Sequence, residues 1–129
     1  MPAEPPSKTV LIVEDNDMYR SVVVAALGQY LKGAQIIQAV SVKEAVQTLA
    51  SRPVAVAVVD MTLPDGTALT FVDRAQEAIK AGLKVLVFSN HSKEDMLPML
   101  DRKDVDAYVE KSSGPRQLAL AIEPLLATS

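Results

Sequence analysis

A short apolar run that ends in a single carboxylate constrains this chain more than any other feature. Residues 54–59 are all valine or alanine, and Asp60 follows them directly. A run this short and this rich in valine is typical of a strand that is buried on both faces of a parallel sheet. A charge at the end of such a strand needs a partner or a chemical role. Because open α/β sheets bind ligands beyond the carboxyl ends of their strands, we expect a functional site at Asp60.

The composition restricts the classes of protein to which the chain can belong. Its 129 residues, of which 49% are hydrophobic, suit one domain with one core. The net charge of −3 comes without the basic stripe of a nucleic-acid interface, so we expect no direct binding of nucleic acid. The absence of cysteine excludes disulfides and thiolate metal sites and allows a reducing compartment. Because no apolar run approaches the roughly 20 residues that span a bilayer, we expect a cytoplasmic protein with no membrane segment.

The rest of the sequence alternates between strand-like and helix-like segments. Residues 1–8 contain three of the eight prolines and predict a flexible tail, which leaves one domain over 9–129. Five units of strand followed by helix predict a parallel sheet with helices on both faces. The predicted strands are 9–13, 34–40, 54–60, 85–88 and 107–109, and the predicted helices are 18–31, 42–50, 67–81, a short helix from 92, and 115–126.

Further local signals predict details of these elements. Four apolar residues of the first helix fall at helical spacing and predict its buried face, namely Met18, Val22, Ala25 and Ala26. The sequence Pro-Asp-Gly at 64–66 predicts a turn after the central strand. Pro98 lies inside the short fourth helix and is expected to kink or shorten it.

Polar residues follow several predicted strands and are expected to meet at one edge of the sheet. These are Glu14 and Asp15 after the first strand, Asp60 after the third, Ser89 after the fourth and Lys111 beyond the fifth. Clustered carboxylates repel one another unless a cation lies among them, and oxygen ligands without histidine or cysteine suit Mg²⁺. Beside that ion, one carboxylate can attack a phosphoryl group and form an aspartyl phosphate. Lys111 is suited to pairing with phosphate, and Ser89 offers a hydroxyl donor.

In order and position, these residues resemble the receiver domain of two-component response regulators. The resemblance covers about residues 8 to 127. It rests on Glu14-Asp15, on Asp60 within Val-Val-Asp-Met-Thr-Leu-Pro-Asp-Gly, and on Ser89, Tyr108 and Lys111. It implies an α/β, flavodoxin-like (βα)5 fold, which is a three-layer sandwich around a five-stranded parallel sheet of order 2-1-3-4-5.

The resemblance also implies roles for the acidic residues and the lysine. Asp60 would accept a phosphoryl group from a phosphohistidine of a sensor histidine kinase or of a phosphotransfer protein. Glu14, Asp15 and Asp60 would hold Mg²⁺ together with the backbone carbonyl of Met61. Lys111 would bind the phosphoryl group.

A switch is implied as well, with Ser89 and Tyr108 as its two residues. The added charge would draw Ser89 towards the phosphoryl group, and the Tyr108 ring would turn inward. The face formed by the fourth helix, the fifth strand and the fifth helix would then change and control an output partner or a C-terminal output domain. Homodimers through this face are common in the family. Thr62 and His91 would flank the phosphoryl site and tune its hydrolysis.

Two positions depart from the commonest pattern of the family. Glu14 stands where aspartate is commoner, and its longer side chain would still reach Mg²⁺ through water. Ser112 follows Lys111 where a proline in a cis bond is frequent. A cis bond without proline costs about 2.5–4 kcal/mol, so the geometry of this loop stays open.

Other functions compete with this interpretation. The main alternative is a pseudo-receiver, a docking module that is never phosphorylated, in which the buried acids and Lys111 would have no use. A phosphatase with an aspartyl nucleophile would carry the motif Asp-x-Asp at the end of the strand, and here Thr62 stands at the position of the second acid. A flavin carrier would need a phosphate-cradling loop after the first strand, where residues 14–17 are Glu-Asp-Asn-Asp. We therefore expect a signalling phosphoacceptor and not an enzyme, whether it stands alone or precedes an output domain.

Overall fold

In a computed structural model, a parallel sheet of five strands forms the centre of the molecule. The structure describes residues 8–92, 94–96, 102 and 104–127. The strands β1 to β5 are Thr9–Val13, Gln35–Ala39, Val56–Asp60, Lys84–Ser89 and Ala107–Glu110. Their order across the sheet is β2-β1-β3-β4-β5, and all neighbouring strands are parallel. This order confirms the predicted flavodoxin-like fold.

Helices cover both faces of this sheet. The helices α1 to α5 are Asp17–Tyr30, Val42–Ser51, Ala68–Arg74, Gln76–Lys80 and Gly114–Ala127. Two short elements accompany these strands and helices. They are an antiparallel pairing of Thr62–Leu63 with Gly66–Thr67, and a 3-10 helix at Lys111–Ser113.

The sheet separates two hydrophobic cores, and strand β3 contributes to both. Ala57 and Val59 belong to the core that contains Phe71. Val56 and Val58 belong to the other core, which includes residues of α1 and α5. Successive side chains of a strand point to opposite faces, so a strand with two covered faces must be apolar at every position. This is the physical basis of the uninterrupted apolar run before Asp60.

The buried face of α1 differs from the predicted one. Val23 and Leu27 are buried, whereas Met18 and Val22 are 80% and 55% exposed. Neither alanine of the predicted set is buried. This prediction was wrong because α1 is apolar on more than one side, and its packing against the sheet and α5 selects the stripe that contains Leu27.

The helix predicted over 67–81 is interrupted at Ala75. The Ala75 N–H donates to the carbonyl oxygens of both Phe71 and Val72, at 2.9 and 3.2 Å, which ends α3 with a tightened turn. The side-chain amide of Gln76 also donates to the Val72 carbonyl, at 2.9 Å. The prediction of one continuous helix was therefore wrong.

Several predictions concern segments for which little or no structure is described. Pro98 and residues 1–7 of the predicted tail lie outside the described residues. Of the short helix that is predicted from residue 92, residues 94–96 are described, and they are helical. Within the described ranges, none of the helices is both long enough and apolar enough to cross a membrane. The peptide bond between Lys111 and Ser112 is trans, as are all others in these ranges.

Candidate functional site

Three carboxylates meet at the carboxyl edge of the sheet. Glu14 and Asp15 follow β1, Asp60 ends β3, and one oxygen of each lies within 4.8 Å of the other two. Val13 of β1 pairs with Val59 of β3, so the residues after them fall side by side. Glu14 is buried, Asp60 is half-buried and Asp15 is exposed. Among the described residues, no other acid, histidine or cysteine cluster of this size is close enough to hold a metal ion.

Lys111 supplies a positive charge to this cluster. Its Nζ lies 2.5 Å from Oε1 of Glu14 and 3.3 Å from Oδ2 of Asp60. The lysine side chain is 11% exposed, so both ion pairs are largely shielded from water. Strand β5 pairs in parallel with β4, which brings Lys111 to the same edge of the sheet. One cation is therefore shared by two carboxylates.

The unequal surroundings of the two buried acids separate their pKa values. Burial and the negative charge of Glu14 raise the pKa of Asp60 to about 6, although Lys111 acts in the opposite direction. Burial also opposes the ionisation of Glu14. Hydrogen bonds from Lys111 and from the Asn16 N–H outweigh it and hold the pKa of Glu14 below its ordinary value. A further cation beside Asp60 would favour its ionised form.

An aromatic ring outside the predicted set closes one side of the site. Tyr19 lies in the first turn of α1, where its N–H donates to Oδ1 of Asn16 at 2.8 Å. The Lys111 Nζ lies 4.5 Å from the centre of the Tyr19 ring. Burial, together with the charges of the two buried acids, raises the pKa of Tyr19 to about 12. No sequence signal marks Tyr19, because its contact with Lys111 joins residues far apart in the chain.

Ser89 and Tyr108 both contact His91. Ser89 ends β4 and is 1% exposed, and its Oγ lies 3.0 Å from Nδ1 of His91. The same Oγ accepts a hydrogen bond from the His91 N–H at 3.2 Å. The Tyr108 hydroxyl donates to the His91 carbonyl oxygen at 2.7 Å. His91, itself exposed, therefore connects the two residues of the predicted switch pair.

The segment after β3 contains the remaining predicted residues. Thr62 is exposed and lines an open cleft together with Asp60 and Lys111. The Met61 side chain is buried, and its carbonyl oxygen accepts a hydrogen bond from the Ala68 N–H at 3.1 Å. A carbonyl oxygen has a second lone pair. The metal-binding role of the Met61 carbonyl therefore stays a prediction.

Asp65 joins this segment to a different helix. Its carboxylate oxygens accept hydrogen bonds from the N–H groups of Val42 and Lys43, at 2.8 and 2.9 Å. These two bonds hold the pKa of Asp65 below its ordinary value, and the bond from Lys43 has the larger effect. The turn signal at 64–66 indicates the turn but not this contact with the start of α2. The loop after Asp60 is thereby tied to the start of α2.

The donor set of the cleft suits a hard divalent cation. The three clustered residues offer carboxylate oxygens alone, without nitrogen or sulfur. Three carboxylates face the single ammonium group of Lys111, so when they are ionised the cluster carries more negative charge than the lysine offsets. Both properties fit a magnesium site.

The family profile of the response regulator receiver domain matches residues 10–123. Among curated proteins, none matches the sequence significantly. Among solved structures, a CheY-like response regulator receiver domain protein from Methanospirillum hungatei JF-1 is 21% identical, with a TM-score of 0.81 and 94% of each chain covered.

Two further solved structures are similar over nearly the same length. A DNA-binding response regulator of the LuxR family from Staphylococcus aureus is 20% identical, with a TM-score of 0.81 over 92% of this chain and 98% of that one. The response regulator TrrA from Thermotoga maritima, in complex with Mg²⁺-BeF, is 21% identical, with a TM-score of 0.78 over 91% and 97%. At these identities the structures establish the fold alone. Because the family profile covers most of the sequence, the chain belongs to the response regulator receiver domain family.

Proposed function

We propose that this receiver domain accepts a phosphoryl group on Asp60 in the presence of Mg²⁺. The observation that carries the proposal is the convergence of Glu14, Asp15 and Asp60 within 4.8 Å of one another. Lys111 lies beside them, 3.3 Å from Asp60. Like charges this close are unfavourable, so a chemical role is the simplest reason for such a cluster. Since the family acts in two-component signalling, we propose a phosphohistidine of a histidine kinase or a phosphotransfer protein as the donor.

Asp60 is the nucleophile in this proposal. One carboxylate oxygen attacks the phosphorus of the phosphohistidine, a P–O bond forms, and the P–N bond breaks with its electron pair on the imidazole nitrogen. The Asp60 side chain is 13% exposed, and it lines the open cleft through which a donor would approach. Hydrolysis by a water molecule later returns the carboxylate and inorganic phosphate. Thr62 lines the same cleft and would influence the access of that water.

The three carboxylates are the proposed ligands of Mg²⁺. Bound there, the ion would offset the charge of the acids and of the phosphoryl oxygens. Each oxygen of Glu14 already accepts one hydrogen bond, from the Asn16 N–H and from Lys111, and we propose that Glu14 acts on the ion through water. Asp15 and Asp60 would be the direct ligands, and the Met61 carbonyl would have to accept the ion in addition to its existing hydrogen bond.

The phosphorylated state would use three further residues. Lys111 would exchange part of its contact with Asp60 for a phosphoryl oxygen. Ser89 would turn its hydroxyl from His91 to another phosphoryl oxygen. Because His91 also holds the Tyr108 hydroxyl, this movement would reach Tyr108 and the face formed by β5 and α5. We propose that this face, with the segment after β4, contacts the output partner, an output domain or a second copy of the chain.

Intact mass spectrometry tests the proposal. Wild-type protein incubated with Mg²⁺ and acetyl phosphate is expected to gain the mass of one phosphoryl group. Asp60→Ala or addition of a chelator is expected to abolish this gain. Asp73→Ala removes a 65% exposed carboxylate that is paired with Arg102, and it serves as the matched control that retains the gain. A folded wild-type protein that gains no mass would refute the phosphoacceptor role and favour the pseudo-receiver.

A further inference from the structure

We propose that Tyr19 is a positioning residue, whose ring holds the Lys111 ammonium group where the phosphoryl group on Asp60 would be bound. The inference rests on the proposed phosphoacceptor function and adds a residue of α1 to it. Tyr19 is not among the residues that the family resemblance implies. Its role follows from contacts in this structure.

Two contacts fix the position of Tyr19, one of its backbone and one of its ring. At its backbone, the N–H donates to the Asn16 side chain that caps α1, which places Tyr19 in the first turn. At its side chain, the ring lies 6.0 Å from the Phe88 ring, with the two planes inclined by 36°. Phe88 is 3% exposed and pairs with Asp60 across β3 and β4. The ring is therefore positioned by the same strand pair that positions Asp60.

The Lys111 ammonium group faces this ring. Its distance of 4.5 Å to the ring centre is within the range at which an aromatic face attracts a cation. The lysine side chain is 11% exposed, so little water competes for the contact. A lysine side chain is long and flexible, and each fixed contact restricts the positions that its charge can occupy. The ring thus gives the ammonium group a third contact beside those with Glu14 and Asp60, and this contact further restricts its position.

A neutral aromatic partner suits this place better than another acid. A further carboxylate would cancel the lysine charge and would repel a phosphoryl group. An aromatic ring covers one side of the ammonium group without cancelling its charge, which stays available to Asp60. When Asp60 gains a phosphoryl group, its ion pair with Lys111 must rearrange, whereas the contact with Tyr19 can persist. We therefore expect loss of the ring to slow phosphoryl uptake.

The first experiment compares two replacements of Tyr19 in the full chain. Uptake from acetyl phosphate with Mg²⁺ is followed over time by intact mass spectrometry. Tyr19→Leu is expected to slow uptake about tenfold, which is the size of effect expected for loss of a partly shielded contact between a cation and an aromatic ring. Tyr19→Phe keeps the ring and is expected to stay within about twofold of wild type. Tyr30→Leu, at a 49% exposed tyrosine of the same helix, is the control and should leave the rate unchanged.

The second experiment separates positioning from packing. If the ring acts through Lys111, Tyr19→Leu should cause no further slowing in the Lys111→Met protein. In NMR spectra, the Lys111 Cε protons are expected to be shifted upfield by the ring in wild type and in Tyr19→Phe, and to lose this shift in Tyr19→Leu.

Three outcomes would overturn the inference. Equal slowing by Tyr19→Leu with and without Lys111 would assign the effect to packing. A rate of Tyr19→Leu equal to wild type would refute this inference and leave the proposed function standing. No uptake by wild type would refute the proposed function, and this inference with it.

Discussion

Replacing Asp60 with asparagine is expected to stabilise the fold near neutral pH. In the folded protein, burial and the charge of Glu14 raise the pKa of Asp60 from its ordinary value of 3.8 to about 6. A raised pKa means that the folded state binds the proton more tightly than the unfolded chain does. The resulting stability is fully present below the ordinary pKa and is lost as the pH rises through about 6. A shift of about two units corresponds to roughly 2–3 kcal/mol above that range.

Urea unfolding with a chelator present measures this difference. Asparagine resembles the protonated side chain in shape, so Asp60→Asn should exceed wild type in free energy of unfolding by about 2–3 kcal/mol at pH near 7.5. At pH near 4 most of this difference should be gone, because Asp60 is then almost fully protonated in the folded wild type and partly protonated in the unfolded chain. Asp73→Asn, at an exposed ion-paired acid, is the matched control and should not gain stability. Equal stability near pH 7.5, or a difference that persists near pH 4, would refute the electrostatic reasoning.

Three further predictions concern helix packing, capping and backbone conformation, and all are measured by urea unfolding. Leu27→Ala should cost about 2–5 kcal/mol and Met18→Ala at most about 0.5 kcal/mol, because Leu27 is fully buried and Met18 is 80% exposed; equal losses would contradict the observed face of α1. Asp65→Asn should lower the unfolding midpoint, because the carboxylate accepts two N–H groups at the start of α2. The lowered pKa of Asp65 means that this contribution is present above the ordinary pKa and is lost as the pH falls, so a difference unchanged in acid would count against it. Gly66→Ala should destabilise the fold, because φ is +154° and a Cβ would lie 2.8 Å from a threonine side chain, whereas Gly28→Ala in α1 meets nothing within 4 Å and should be neutral or stabilising.

The carboxyl edge of the sheet was predictable because each polar residue there follows a strongly apolar strand. Asp60, Ser89 and Lys111 lie at or just beyond strand ends, and parallel strands bring their ends to one edge. The face of α1 was not predictable in this way. Residues 22–27 are all valine, alanine or leucine, so helical spacing alone permits several buried stripes. Contacts with the sheet and α5 decide among them.

Contacts between distant residues account for the other features that the sequence does not predict. The contact of Tyr19 with Lys111 and the capping of α2 by Asp65 depend on how the chain folds back on itself. No glycine or proline in the sequence predicts the break at Ala75. There, Gln76 donates both to a carbonyl of α3 and to Asp104, at 2.9 and 3.1 Å, so side-chain contacts compete with the regular helix. Propensity gives no information about such competition.

The position of each strand in the sheet has a consequence for hydrogen exchange. Strand β3 is paired on both sides, with β1 and β4, whereas β5 lies at an edge. Amide hydrogens of β3 should therefore exchange only when the whole domain unfolds, and those of β5 through smaller local openings. Asp60 ends β3, whereas Tyr108 lies in β5 and Lys111 directly follows it. The proposed phosphate acceptor thus lies on the central strand, which opens rarely, whereas Tyr108 and Lys111, which would respond to it, lie in or directly after an edge strand, where local rearrangement costs less.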